Sequence, residues 1–386
     1  MPLEAARTRL EMARALSERS PEVAVVEAKE EDMADNRYDA IVVGARCAGS
    51  PTAMLLARKG HKVLVVDRAR FPSDTLSTHI LHPPGVASLR RWGLLDRLTA
   101  TGCPPIDTYS FDFGAFAIAG APGTGDTPVA YGPRRTVLDK LLVDAASEAG
   151  AEVRERFTVE EVVVDGGRVT GIKGHGAGGR TVTEHAKVVV GADGRHSLVA
   201  RAVEPEQYHE KPQLLCGYYT YWSGLPMDGR FETYVPPDRG FAAWATNDDL
   251  TVVIGGWPFA EFEANKRDVE GNYLKMLEMA PSFAERVRAA TREARFAGAR
   301  PFQEAMGAYQ ATRDAQVLPM YELTCQFATL EPPPPEMQGL LGAVHGNQEA
   351  MDGFARVMAG VTSPAEFFSE ENVGRIMAQA GAGAPA

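Results

Sequence analysis

The chain is poor in cysteine: four residues in 386, Cys47, Cys103, Cys216 and Cys325, stand far apart and form no C-x-x-C. That argues against a disulfide framework and a thiolate zinc site, and it fits a reduced, cytoplasmic setting. Basic residues are also short, 40 against 51 acidic, for a formal charge of −11. A phosphate-backbone partner would meet no basic excess, so nucleic acid is set aside. No apolar run approaches the roughly 18 residues of a membrane span. The N-terminus lacks a signal-type apolar stretch, its best being Val23 to Val26, so neither a transmembrane segment nor export is expected. The eight histidines form no H-E-x-x-H or close ligand pair, and no metal site is expected. Neither a G-x-S-x-G elbow nor a paired-carboxylate arrangement stands out, so no acid, base or nucleophile is named.

What is present is ordinary globular material, 45% hydrophobic and 24% charged, enough for about two to three domains. Residues 1–35 alternate charges with helix formers and read as an N-terminal extension. Met33 stands just before Ala34-Asp35-Asn36-Arg37-Tyr38-Asp39, a second place where the functional protein can begin. From Tyr38 the pattern changes. Ala40 to Val43 is an apolar run, Gly44 to Gly49 a turn, Ser50 to Lys59 a helix and Lys62 to Val66 a second β-branched run, which together make a βαβ unit.

Downstream, residues 86–98 and Val137 to Glu148 read as helices. Val159 to Val164 and Arg168 to Lys173 read as a hairpin across Asp165-Gly166-Gly167, and Thr181 to Val190 as one more strand. Residues 214–257 carry strand formers and aromatics, including Tyr218, Tyr219, Tyr221 and Trp222, which predict a second sheet with an aromatic face. After Asn272 the pattern is helical through Arg295, and again from Pro301 to Met377, broken by Pro332 to Pro335. Gly381 to Ala386 reads as a frayed tail.

The residues that point to chemistry are Gly44, Ala45, Arg46, Cys47, Ala48 and Gly49, set between strand and helix, with Asp67 closing the next strand. Gly44 permits the tight turn and Gly49 lets helix and strand pack closely. The helix start offers N–H groups to a diphosphate, and Asp67 can accept hydrogen bonds from a ribose. Arg46 stands where the dinucleotide fingerprint has its second glycine. Cys47 reads as a small packing residue. Arg68, after Asp67, is a candidate for a 2′-phosphate only if this unit holds the nicotinamide cofactor.

Three pieces together resemble the flavin-dependent monooxygenases related to p-hydroxybenzoate hydroxylase and the allied geranylgeranyl-reductase-like oxidoreductases. Besides the loop, Arg135-Thr136-Val137-Leu138-Asp139 is similar to that family's R-x-x-L-D. The run Val188 to Ser197, with Gly191-Ala192-Asp193-Gly194, is similar to its G-A-D-G-x-x-S motif. The resemblance extends more weakly over residues 38–295. It implies an α/β fold: a Rossmann-like FAD/NAD(P)-binding domain over 36–200, a β-rich substrate lobe over 201–295 to which 101–130 can contribute, and a helical C-terminal region over 296–386. It also implies that Arg135, Asp193 and Gly194 lie near bound FAD, and that NAD(P)H is the co-substrate.

One family feature is missing. A strand ending in Gly-Asp, followed by a long helix, is expected after the substrate lobe, whereas the only Gly-Asp is Gly125-Asp126 and the chain runs from Phe296 through Arg300 without it. A few dozen residues read as lost there. The resemblance therefore implies an FAD-dependent, NAD(P)H-consuming monooxygenase acting on an apolar or aromatic small molecule. Two alternatives stay open: a reductase of C=C bonds, and a non-catalytic remnant with impaired flavin binding. Halogenation is less favoured, since W-x-W-x-I-P is absent. Oligomeric state does not follow.

Overall fold

The computed structural model describes residues 37–206, 212, 214–236, 239–299 and 310–382. The N-terminal extension, Arg300 and the last part of the frayed tail lie outside the described residues. In chain order the elements begin with β1 (Tyr38–Val43), α1 (Gly49–Ala57), β2 (Val63–Asp67), α2 (Pro83–Trp92) and α3 (Leu95–Thr99). Then come β3 (Pro105–Ile106), β4 (Thr108–Asp112), β5 (Ala117–Gly120), β6 (Ala130–Tyr131), α4 (Arg135–Glu148), β7 (Glu152–Glu155) and β8 (Thr158–Asp165). They continue with β9 (Arg168–His175), β10 (Thr181–Gly191), α5 (Leu198–Val203), β11 (Leu215–Ser223), β12 (Arg230–Tyr234), β13 (Gly240–Ala245) and β14 (Leu250–Pro258). Next are α6 (Phe262–Arg267), α7 (Val269–Leu277), α8 (Pro281–Arg288), β15 (Thr291–Arg292) and β16 (Ala297–Ala299). The last helices are α9 (Gln310–Ala328), α10 (Pro335–Val344), α11 (Gln348–Met358), α12 (Pro364–Phe367) and α13 (Glu370–Ala382).

The chain divides into two compact units. Among the described residues, the first holds 37–73, 138–206 and 310–311, and the second 74–137, 212, 214–236, 239–299 and 312–382. Within the first, a sheet runs in the order β7-β2-β1-β10-β9-β8. β1 pairs in parallel with β2 and with the second half of β10, and β2 in parallel with β7. The first half of β10 turns away to pair antiparallel with β9, so one long strand joins a parallel Rossmann-like sheet to a hairpin. Gly166 and Gly167 take φ of 58° and 81°, the positive pair that a two-residue hairpin turn demands. Ile41, Val43, Leu64, Val66, Phe157, Ile172 and Ala186 form the core. A strand buried on both faces needs a continuous apolar run, which is why β1 and β2 read as unbroken rather than alternating.

The second unit is built on an eight-stranded sheet, β15-β11-β14-β13-β12-β4-β5 with β16 also on β11. All its pairings are antiparallel except β12 with β4. Alternation along each strand feeds two cores. Tyr219, Tyr221, Trp244 and Val252 face helices α10 to α13, whereas Cys216, Trp222, Ala243, Val253 and Trp257 face α7 and α8. Period-two patterning thus clothes both faces of this sheet with helices.

Two stretches differ from the sequence expectation. The single helix read over 86–98 is two, because Gly93 closes α2 in the left-handed region at φ 73°, a common helix stop. The stretch after Ala290 is not helical. Thr291–Arg292 and Ala297–Ala299 instead supply backbone hydrogen bonds to β11, satisfying an edge that would otherwise be unpaired.

Helix α11 seats on β5 through Gly120, where an added Cβ would come 2.6 Å from Met351 O and 2.7 Å from the Asp352 Cα. Asp352 Oδ1 accepts from Ala121 N at 3.1 Å and from Gln348 Nε2 at 2.8 Å. Gly120→Val should therefore lift the helix and lower unfolding free energy by about 2 kcal/mol or more. A shift of the denaturant midpoint at unchanged slope checks this.

Candidate functional site

In the first unit, the turn after β1 is set by two backbone contacts. Gly44 N donates to Val66 O at 2.8 Å, and Ala192 N donates to Val43 O at 2.7 Å. Gly44 takes φ 99°, and a Cβ there would lie 2.3 Å from Ala192 O, so both conformation and space require glycine. At Gly49 a Cβ would meet Gly44 O at 1.7 Å. The start of α1 can rest on the end of β1 only because both residues lack side chains. Ser50, buried, donates its hydroxyl to Ala45 O at 2.6 Å and fixes the turn from within.

Helix α1 begins at Ala48 with no side-chain cap and no acid in its first turn. Its positive end is therefore not neutralised by its own sequence, an arrangement suited to an anion. Asp67 closes β2 with Oδ2 accepting from Ala45 N at 2.8 Å and Oδ1 accepting from Ala69 N at 2.7 Å. Each carboxylate oxygen retains acceptor capacity, so Asp67 both ties the loop to β2 and can take a hydroxyl.

Arg46, in place of the second glycine, sends its side chain to three neighbours. Nη1 donates to Asp139 Oδ2 at 2.5 Å, Nη2 donates to Ser73 Oγ at 3.0 Å, and the guanidinium lies 5.3 Å from the centre of the Phe71 ring. The Asp139 side chain is fully buried, 0% exposed, and it also accepts from Cys47 Sγ at 3.3 Å. Arg46 and Cys47 thus fasten the loop to helix α4. Asp139, Ser73 and Phe71 were not among the expected site residues. The available signal was Asp139 itself, an acid on the apolar stripe Leu138, Leu141, Leu142, since a buried carboxylate requires a charged or hydrogen-bonding partner.

The remaining expected residues spread further. Arg68 is exposed, next to Asp67. Arg135 opens α4 half-buried and groups with the second unit, while Asp139, one turn on, groups with the first. Asp193 Oδ1 accepts from Ser197 Oγ at 2.5 Å and Oδ2 from Leu198 N at 2.6 Å, so its carboxylate caps α5. Gly194 takes φ 80° with open space around it. The structure gathers Gly44 to Gly49 with Asp67, and brings Ala192, of the Gly191-to-Gly194 segment, against Gly44.

The second unit carries buried polar groups on the aromatic face of its sheet. His79 Nε2 is 2.7 Å from the Tyr221 hydroxyl, and the ring meets Tyr219 and Tyr221 edge-on at 5.1 and 5.7 Å. Burial lowers the pKa of His79, with Arg135 and Arg134 also lowering it, against Asp74 and a hydrogen bond from the ring to the Ser77 backbone. His82 Nδ1 lies 2.6 Å from the Tyr109 hydroxyl, and burial lowers its pKa to about 4. Among the described residues no cluster of histidine, cysteine and acid could hold a metal ion, and no helix is long and apolar enough to cross a membrane.

A family model described as "FAD binding domain" matches residues 37–297, about two thirds of the chain. The chain belongs to that family. Among curated relatives, Protein FixC of Salmonella typhimurium is 33% identical over 51% of this chain and 51% of its own length. Digeranylgeranylglycerophospholipid reductase 2 of Methanopyrus kandleri is 33% identical over 42% of this chain and 39% of its own. The phenazine 1,6-dicarboxylic acid hydroxylase PhzS of Lysobacter antibioticus is 30% identical over 52% and 51%. The chain therefore spans about half the length or less of these relatives. Among solved structures, the myxobacterial chondrochloren halogenase CndH superposes with a TM-score of 0.63 at 21% identity, covering 91% of this chain and 98% of its own. PqsL of Pseudomonas aeruginosa, described as a probable FAD-dependent monooxygenase, gives 0.61 at 19%, covering 90% and 100%. These two likenesses establish the shared fold.

Two outcomes follow from this family member's loop and histidines. Removing the arginine of the Arg46–Asp139 pair leaves the fully buried Asp139 carboxylate without that cation, so Arg46→Ala should cost about 3 kcal/mol of stability. The double variant Arg46→Gly/Asp139→Leu should recover most of that in a denaturation cycle. The His82 pKa lies below its ordinary 6.5, so its contribution is complete above pH 6.5 and is lost as pH falls toward 4. Between pH 7 and 4.5 the wild type should lose on the order of 2 to 3 kcal/mol more than His82→Leu, read from paired denaturant midpoints.

Proposed function

We propose that the chain is an FAD-dependent oxidoreductase that consumes NAD(P)H and monooxygenates an apolar or aromatic small molecule. The observation that carries this reading is the start of α1: a helix end with no cap and no first-turn acid, pressed against β1 through Gly44 and Gly49, in a chain of the FAD-binding-domain family. These residues fit the adenine-nucleotide half of FAD. The helix start suits a diphosphate and Asp67 suits a ribose hydroxyl. Arg46 carries a side chain where the fingerprint has none, and because that side chain is turned to Asp139 and Ser73 it does not fill the loop.

In this reading Gly44 to Gly49 hold the diphosphate through backbone amides, and Asp67 orients the ribose. Arg46 and Asp139 keep the loop in place when the cofactor leaves. Arg135, Asp193 and Gly194 stand as cofactor-side residues on the strength of the motif likeness, and Arg68 only by its place beside Asp67. FAD, when bound, supplies the electron transfer and oxygen activation that no side chain of this chain supplies. The second unit takes the substrate role, its aromatic sheet face offering apolar surface that excludes water.

A second reading is favoured by one relative, the reductase of Methanopyrus kandleri: reduction of a C=C bond on the same scaffold. The missing Gly-Asp motif after Phe296 supports a third, a remnant that binds FAD weakly, because the helix that would face the flavin's pyrimidine edge is not in the sequence. Titration with FAD and with ADP, followed by flavin fluorescence and calorimetry, tests the cofactor assignment. Asp67→Ala should weaken both ligands about tenfold, and a wild-type chain that binds neither sinks the proposal. Oxygen-dependent product formation with NADPH then separates the monooxygenase from a reductase that turns over without oxygen.

A further inference from the structure

Strand β10 of the first unit is paired on both sides along no part of its length. Its outer side meets β9 only from Thr181 to His185, and its inner side meets β1 from Ala186 to Gly191. Ala192 N donates to Val43 O, and Val43 is the register partner of Gly191. The N–H and C=O of a strand residue point to one edge and alternate from residue to residue. Val188 and Val190 therefore bond to β1, whereas Lys187, Val189 and Gly191 turn their backbone groups outward. Among the described residues no strand pairs with those outward groups.

The side chains of this stretch are bare as well. Val188 is 40% exposed, although its register partner Ala40 is 5% exposed. The outermost strands of the same sheet are guarded differently. β7 carries Glu152, Arg154 and Glu155, and β8 carries Glu160, Glu161 and Asp165 together with irregularities of register at Val159/Glu161 and Val163/Val164. Charges and bulges are the devices that keep a sheet edge from pairing. The free half of β10 reads Ala186-Lys187-Val188-Val189-Val190-Gly191, and its single charge is turned to the neighbouring strand, Lys187 Nζ lying 3.0 Å from Asp39 Oδ1.

This edge is complementary to itself. Antiparallel pairing of two copies about Val189 sets each Val189 opposite the other, Lys187 opposite Gly191 of the partner subunit, and Val188 opposite the partner's Val190. The outward residues then meet as hydrogen-bonded pairs, and the valines as the closer non-hydrogen-bonded pairs, where side chains approach most nearly. No like charges are opposed, and Gly191 presents no side chain against the lysine. The same pairing on β8 would crowd its acids together.

We propose that the free half of β10 is a self-association edge, through which two copies of this chain join the sheets of their first units about a two-fold axis. The inference does not depend on flavin binding.

Sedimentation equilibrium of the full chain should show a monomer–dimer exchange in the micromolar range, because a short strand ladder with a small apolar patch is a weak interface. Added salt should shift it little, since no charge pair crosses the two-fold. Residue-resolved hydrogen exchange should show the Lys187, Val189 and Gly191 amides gaining protection as concentration rises, while the Val188 and Val190 amides, bonded to β1, stay protected throughout. Val188→Lys, at a position already exposed, should raise the dissociation constant of the dimer about tenfold or more and leave the thermal midpoint of the monomer unchanged. A chain that stays monomeric at every concentration would overturn the assignment. So would a dimer whose outward β10 amides exchange as they do in the monomer, or one that Val188→Lys leaves intact.

Discussion

A contact between two glycines organises the first unit. The carbonyl of Gly44 and the α-carbon of Gly49 approach so closely that a single added methyl at position 49 would lie within bonding distance of the oxygen. That approach brings the amides at the start of α1 onto the ends of the parallel strands. Strand dipoles contribute little there, whereas the uncapped helix end is locally positive. The parallel pairing of β1 with β2 and β10 then follows, because Gly44 N and Ala192 N close the ends of those ladders.

Arg46 changes how this loop is stabilised. A glycine at that position would remove the loop's ionic tie to helix α4 and leave the contacts of Ser50, Asp67 and Cys47. Here a guanidinium joins it to the buried carboxylate of Asp139, to Ser73 and to the Phe71 ring. A buried ion pair adds little net stability compared with well-packed apolar groups, but it penalises any geometry that separates the charges. The physical effect is registry: the loop and helix α4 keep one relative position.

The second unit solves a different problem. Its sheet is covered on both faces, so aromatic residues adjacent in sequence divide between two cores, Tyr221 on one side and Trp222 on the other. Polar atoms on such a sheet must find partners inside it. Tyr273 OH donates to Val253 O at 2.9 Å, and Thr251 Oγ1 to Leu225 O at 2.7 Å.

Much of the first unit was legible in the sequence because its signals are local: apolar runs, turn glycines and helical spacing read out directly as β1, α1, β2, α4 and the hairpin. The Gly44-to-Gly49 loop with Asp67 was legible for the same reason, since strand, turn, helix and acid follow one another along the chain. What only the tertiary structure decided involves residues far apart in sequence. Asp139 meets Arg46 across 93 positions and Tyr221 meets His79 across 142. No local propensity encodes such a meeting. Thr291–Arg292 and Ala297–Ala299 became strands for a related reason: short segments with little preference of their own take the conformation that satisfies an exposed sheet edge. Sequence determined the elements, and long-range packing chose which buried charges and donors would face one another, because desolvated polar groups are settled only when their partners arrive.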